Sequence, residues 1–162
     1  MAKNENKSKI LSLDTSSVKT GWSYFFDGKY IESGTIDLSK IKDLDVRIKT
    51  MILSIGEVID KFEPNHVVIE DIVVERNWHT FKVLAIIVGA VYGLCVNKNI
   101  SYSSLSPTQW RNIIDSGTKP RKRDELKIWG KDKVKMLINI DMNDDQADAV
   151  LIGYSYLKER ED

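Results

Sequence analysis

The spacing of apolar and polar residues changes several times along the chain, and each change marks an element. Ile10-Leu11-Ser12-Leu13 is a short apolar run that stops at Asp14, and Thr15-Ser16-Ser17 reads as a turn. Residues 21–26 and 29–36 are β-rich runs joined by Asp27-Gly28, a pair suited to a tight hairpin. Leu44, Ile48, Met51, Ile55, Ile59 and Phe62 then recur at helical spacing, with Asp43 as a candidate cap and Pro64 as the stop. Val67-Val68-Ile69 is fully apolar and ends at Glu70-Asp71, which predicts a central strand buried on both faces. A nearly all-apolar helix is expected over residues 78–96 and a strand over 100–105, and Ser106-Pro107 opens a further helix. The last helix runs over about residues 144–157, with Asp144 as its simplest cap. The order βββαβαβαα predicts a mixed α/β sandwich of two or three layers.

At 162 residues the chain fits a single domain over residues 9–162, preceded by a polar leader at 1–8 that is expected to be disordered. That N-terminus has no apolar core and so no secretory signal. The apolar stretch at 83–96 is 14 residues long and contains Gly89 and Gly93, too short to span a bilayer. Cys95 is the only cysteine, which excludes a disulfide framework, and His66 and His79 are the only histidines. With 24 basic and 24 acidic side chains the net charge is zero, which counts mildly against a nucleic-acid binder. The distribution of charge says more. Residues 119–135 hold eight basic and three acidic side chains, a net of +5, and Asp141, Asp144, Asp145 and Asp148 follow directly.

Asp14 and Glu70 each end a buried strand. If those strands are parallel neighbours, about 4.8 Å apart, both carboxylates reach one edge of the sheet, where α/β ligands bind. Asp145 and Asp148, three apart on a helix, share a face. Four converging carboxylates repel one another unless a cation neutralises them. Oxygen donors without His or Cys select Mg²⁺, with Mn²⁺ able to substitute. Two such ions, roughly 3.5–4 Å apart, are the arrangement that hydrolyses phosphodiesters. Asp14 could instead only open a turn and Asp145 only complement a helix dipole. Glu70 and Asp148, set among apolar neighbours, are harder to explain structurally. The basic segment reads as a phosphate-holding surface, with Lys119, Arg121, Lys122 and Arg123 as candidates, or as a solvated loop.

These stretches together resemble the RuvC family of Holliday-junction resolvases, within the RNase H-like nucleases. The matching residues are Ile10-Leu11-Ser12-Leu13-Asp14 with Thr20-Gly21-Trp22, Arg47-Ile48 through Pro64 to Val67-Val68-Ile69-Glu70, Ser106-Pro107-Thr108-Gln109-Trp110-Arg111, and Asp145-Gln146-Ala147-Asp148-Ala149. The resemblance implies an RNase H-like mixed five-stranded sheet flanked by helices, with Asp14, Glu70, Asp145 and Asp148 as metal ligands. It places the family's DNA-contacting lysines on Arg111 and on Lys131, the latter with a catalytic role and with Lys133 as its alternative. Residues 120–129 read as an insertion. Val73 stands where the family has a base-contacting aromatic, and Trp78 lies five residues on. The compact, divergent form is most similar to phage-encoded members.

The resemblance also implies a homodimer through the apolar helix, where Ala85, Gly89 and Gly93 form a small-residue stripe that could equally be a core contact. The expected function is a Mg²⁺-dependent endonuclease that makes paired cuts in branched, four-way DNA in a bacterial or phage-infected cytoplasm, with no membrane partner. Three alternatives stand beside it. One is an RNase H-like nuclease on RNA or other branched substrates. Another is a binder of branched DNA that does not cut. The third is an actin-like or sugar-kinase-like ATPase fragment, because Asp14-Thr15-Ser16-Ser17 also resembles a phosphate-binding turn.

Overall fold

The computed structural model describes residues 7–74 and 77–160. Five strands, β1 (Lys9–Asp14), β2 (Lys19–Phe26), β3 (Lys29–Asp37), β4 (His66–Glu70) and β5 (Ser101–Leu105), form one sheet in the order β3-β2-β1-β4-β5. β1 is antiparallel to β2 and parallel to β4, and β4 is parallel to β5, so the sheet is mixed as expected. The helices are α1 (Leu44–Phe62), α2 (Trp78–Asn97), α3 (Pro107–Ile114), α4 (Arg123–Ile138) and α5 (Asp144–Glu159).

The sandwich has three layers. Leu11, Leu13, Val67 and Ile69 of the central strands pack under Met51, Ile55, Ile87 and Val91 of α1 and α2. Ile10 and Val68 face the other way, with Phe25, onto Trp110, Val134, Val150 and Ile152 of α3, α4 and α5. Burial on both faces explains the unbroken apolar character of β1 and β4. Several local signals are realised. Asp27 and Gly28 both take positive φ, 51° and 76°, in the hairpin. Asp43 caps α1 by accepting from the Val46 amide at 2.8 Å. Ser106 and Gln109 form a capping box on α3, with Pro107 in the first turn.

Four expectations need correction or bounding. The basic segment is not a loop throughout: residues 123–138 are α4, adding a third consecutive helix to the order. Its inner face, with Leu126, Trp129, Gly130 and Val134, has helical spacing, but eight charged residues and a glycine dilute the periodicity. α2 is 20 residues long, so by length and hydropathy it could span a bilayer; here it packs on the sheet through Val83, Ile87, Val88, Val91 and Cys95. The α5 cap is Asn143, whose side chain accepts from the Gln146 amide at 2.9 Å, and Asp144 is the first helical residue. Of the expected leader, residues 1–6 lie outside the described residues, while the Lys7 and Ser8 carbonyls accept bonds from Asn65 and Asp27.

α5 lies unusually close to the sheet. A Cβ at Gly153 would collide with the Phe25 ring and crowd Ser12 Oγ. The Ser12 and Ser23 hydroxyls, both fully buried, converge on the Ala149 carbonyl at 2.7 and 3.1 Å. Gly153→Ala should therefore overpack this contact and lower stability by about 1–3 kcal/mol. Thermal unfolding of the purified variant checks it; an unchanged midpoint would mean that α5 can move off the sheet at no cost.

Candidate active site

The parallel β1/β4 register pairs Leu13 with Ile69, so the next residues, Asp14 and Glu70, leave the same edge of the sheet side by side. Asp14 is opposite Gly21 on β2. A side chain at Gly21 would strike the Asp145 carbonyl oxygen, so the missing Cβ is what lets the first turn of α5 sit beside Asp14. Asp145 and Asp148 both start from that turn. The four carboxylates anticipated from the sequence all line one cleft of about 900 Å³, together with Asp144, Arg111, Arg123 and Lys127.

The electrostatics are those of a crowded acid cluster. Burial first, then the charges of Glu70, Asp148 and Asp145, holds Asp14 well above the usual carboxylate range. Burial also raises Glu70, opposed by the Trp110 indole and by Arg111. Asp148 is pushed up to about 7 by burial and the neighbouring Glu70, again against Arg111. Asp145 is raised by burial and by Asp144. Asp144 itself goes down, because Lys127 sits 2.6 Å from its carboxylate.

The donor chemistry suits a hard divalent cation: all-oxygen ligands whose mutual repulsion a cation would relieve. Among the described residues no three Asp, Glu, His or Cys side chains already close on a single point. The fit therefore rests on the donor set and the raised carboxylates.

Arg111 of α3 lies on the cleft wall with its guanidinium over the Trp110 ring, 4.7 Å from the centroid. Lys119 is turned back onto Asn112 Oδ1 at 2.7 Å, and Lys133 is paired with Asp115 at 2.6 Å. Arg121, Lys122 and Arg123 are exposed, and of these Arg123 lines the cleft. Lys131 is exposed on α4 outside the cleft lining, close enough for its charge to act on Asp144. The α4 lysine on the cleft wall is Lys127, one turn earlier, which the sequence reading did not single out.

Other contributors were also missed. Trp110 donates its indole N–H to Glu70 Oε1 at 2.8 Å. Gly130 leaves room for the Asp148 carboxylate, whose Oδ1 would lie 3.0 Å from a Cβ there. The sequence carried Trp110 only as part of a motif, and for Gly130 and Lys127 it held no usable signal while α4 went unseen. Ala85 is half-buried on α2, and Gly89 and Gly93 are exposed.

The sequence signature of a family described as crossover junction endodeoxyribonuclease RuvC matches residues 10–155, from β1 into α5. The chain belongs to the RuvC family. A RuvC from Orientia tsutsugamushi (strain Boryong) is 27% identical over 152 residues, covering 90% of this chain and 92% of the relative. One from Hydrogenovibrio crunogenus is 27% identical over 146 residues, covering 88% and 83%. The fold is similar to that of Thermus thermophilus RuvC in complex with a Holliday junction substrate, with a TM-score of 0.75 at 13% identity and 95% of both chains covered. It is also similar to the yeast mitochondrial Holliday junction resolvase, with a TM-score of 0.63 at 14% identity, covering 95% of this chain and 79% of that one. A RuvC match across the whole sheet sets aside the reading as one half of an actin-like ATPase.

The raised carboxylates make a signed prediction. A group whose folded pKa lies above its unfolded value contributes stability that is complete below the unfolded value and is lost as pH rises through the folded one. For Asp148 the loss runs from about pH 4 to about pH 7. Metal-free Asp148→Asn should therefore melt higher than the parent at pH 8, by on the order of 2 kcal/mol or about 4–8 °C. The gap should narrow towards pH 4, and Mg²⁺ should stabilise the parent more at pH 8 than at pH 5. Equal melting of both metal-free proteins at pH 8 would mean that Asp148 is not strained by its neighbours.

Proposed function

We propose that the protein is a divalent-metal-dependent endonuclease that resolves four-way DNA junctions by paired phosphodiester hydrolysis, working as a homodimer in the compartment that holds the DNA, a bacterial or phage-infected cytoplasm. The observation that carries this reading is the convergence of Asp14, Glu70, Asp145 and Asp148 on one cleft at the carboxyl edge of β1 and β4, in a chain of the RuvC family.

Asp14, Glu70, Asp145 and Asp148 would hold Mg²⁺, with Mn²⁺ as a substitute. A divalent ion held by these carboxylates would supply Lewis acidity for water activation and charge neutralisation at the phosphate. Arg111, already opposing the charge of Glu70 and Asp148, offers its guanidinium to the scissile phosphate as a planar, permanently charged donor. Arg123 and Lys127 hold the DNA backbone on the α4 wall, and Lys131, Arg121 and Lys122 extend that surface beyond the cleft. Lys119 and Lys133, bonded to their own domain, contribute charge rather than a first contact. This distribution reconciles zero net charge with a nucleic-acid substrate.

The dimer reading gains support from α2. Gly89 and Gly93 are exposed, and among the described residues nothing lies within 4 Å of where either Cβ would be. A glycine in an exposed helix costs about 1 kcal/mol relative to alanine, and no contact among the described residues requires that cost twice. Ile86 and Val96 on the same helix are also exposed, as is Leu53 of α1. A second copy packed over this face supplies the reason, and a two-fold pair presents two identical sites to a nearly two-fold junction.

Two experiments test these claims. Asp14→Asn should bind a labelled four-way junction like the parent but cut it at least 100-fold more slowly in Mg²⁺; parental cutting would overturn the assignment, and binding without cutting by the parent in Mg²⁺ and Mn²⁺ would favour a pure binder. Gly89→Phe has room in the folded chain, so it should fold as a monomer whose melting temperature, unlike the parent's, does not depend on protein concentration, while losing paired nicking. A variant that stays dimeric by mass in solution places the interface elsewhere.

A further inference from the structure

Trp110 heads the fully buried side chains by volume, and it touches the acid cluster. A buried indole N–H needs an acceptor. Here the acceptor is Glu70 Oε1, at 2.8 Å. The other face of the same residue does a second thing: the guanidinium of Arg111, the next residue, lies over its ring. Trp110 is itself held firmly. The hydroxyl of Ser155 of α5, fully buried, is shared between the Leu151 carbonyl at 2.7 Å and the Trp110 carbonyl at 3.0 Å, and Trp129 of α4 leans on the Trp110 ring with centroids 6.3 Å apart.

We propose that Trp110 is a positioning residue that sets Glu70 and Arg111 relative to one another, a role that rests on the metal-holding assignment of Glu70. The indole occupies one lone pair of Oε1 and fixes the carboxylate rotamer, leaving the remaining lone pairs for a metal. Its ring fixes the guanidinium, whose five donors would otherwise swing on a long stem. A single rigid side chain, wedged between α4 and α5, thereby couples the acid that holds the metal to the cation that meets the phosphate. Any buried indole needs an acceptor; what sets this one apart is that the acceptor is a carboxylate of the acid cluster and the ring also carries Arg111, and partners of this kind around metal ligands shift affinity or activity by about 10–100-fold when removed.

The test reads the indole itself in the full-length, metal-free protein. Proton–nitrogen spectra resolve the indoles of the four tryptophans, assigned through Trp22→Phe, Trp78→Phe and Trp129→Phe. The Trp110 indole proton should be downfield and slow to exchange. It should move upfield in Glu70→Gln, where a neutral amide replaces the carboxylate, and should shift when Mg²⁺ is added to the parent. In Trp110→Phe the Mg²⁺ midpoint, read from the remaining resonances, should weaken about 10–100-fold. An indole resonance that ignores both Glu70→Gln and Mg²⁺ overturns the proposal, as does a parental metal midpoint in Trp110→Phe. If Trp110→Phe fails to fold, the two shifts on the native indole still decide. If Mg²⁺ moves no resonance while Glu70→Gln moves the indole, the metal assignment of Glu70 fails, the bond is packing alone, and the positioning role falls with it.

Discussion

The architecture depends on one contact, the seating of α5 against β1 and β2. Two of the four clustered carboxylates come from strands and two from a helix, so the cluster exists only if that helix comes close enough to the sheet edge. Gly21 and Gly153 remove the side chains that would hold it away, and the Ser12 and Ser23 hydroxyls bind the helix through the Ala149 carbonyl. That carbonyl belongs to the residue after Asp148, so the bond that docks the helix also sets the depth of the carboxylate.

Docking carries an electrostatic cost that the fold answers only in part. Partly neutralising groups surround the acids: the Trp110 indole on Glu70, the Arg111 charge on Glu70 and Asp148, Lys127 on Asp144, and Lys19 with Lys127 on Asp145. Asp14 has none of these, and burial and three carboxylates all push it up. Such residual strain is expected where a site is shaped for a bound cation rather than for its own stability.

α4 gives this cleft its basic wall. It puts Arg123 and Lys127 on the rim, brings Gly130 against Asp148, and supports Trp110 through Trp129. A segment that reads as a charged insertion along the chain therefore closes one side of the site. Its buried face is narrow, at Gly130 and Val134, so most of its surface remains polar and open to solvent.

The sequence by itself determined the elements whose signals are local. An apolar run ending in an acid marked β1 with Asp14 and β4 with Glu70, spacing of three marked Asp145 with Asp148, and hairpin and capping residues marked the boundaries. Those patterns depend on neighbours a few residues apart, and they were enough to nominate the acids and the metal chemistry. Tertiary structure alone decided which cations face them. Lys127 rather than Lys131 lines the cleft because the phase of α4 was set by its packing on α5. Lys119 and Lys133 were drawn away by Asn112 and Asp115. The Trp110–Glu70 bond joins residues 40 positions apart, and the need for glycine at 21 arises from a helix more than a hundred residues away. No periodicity along a chain encodes a contact between distant segments, which is why the acids could be read in the sequence and their surroundings could not.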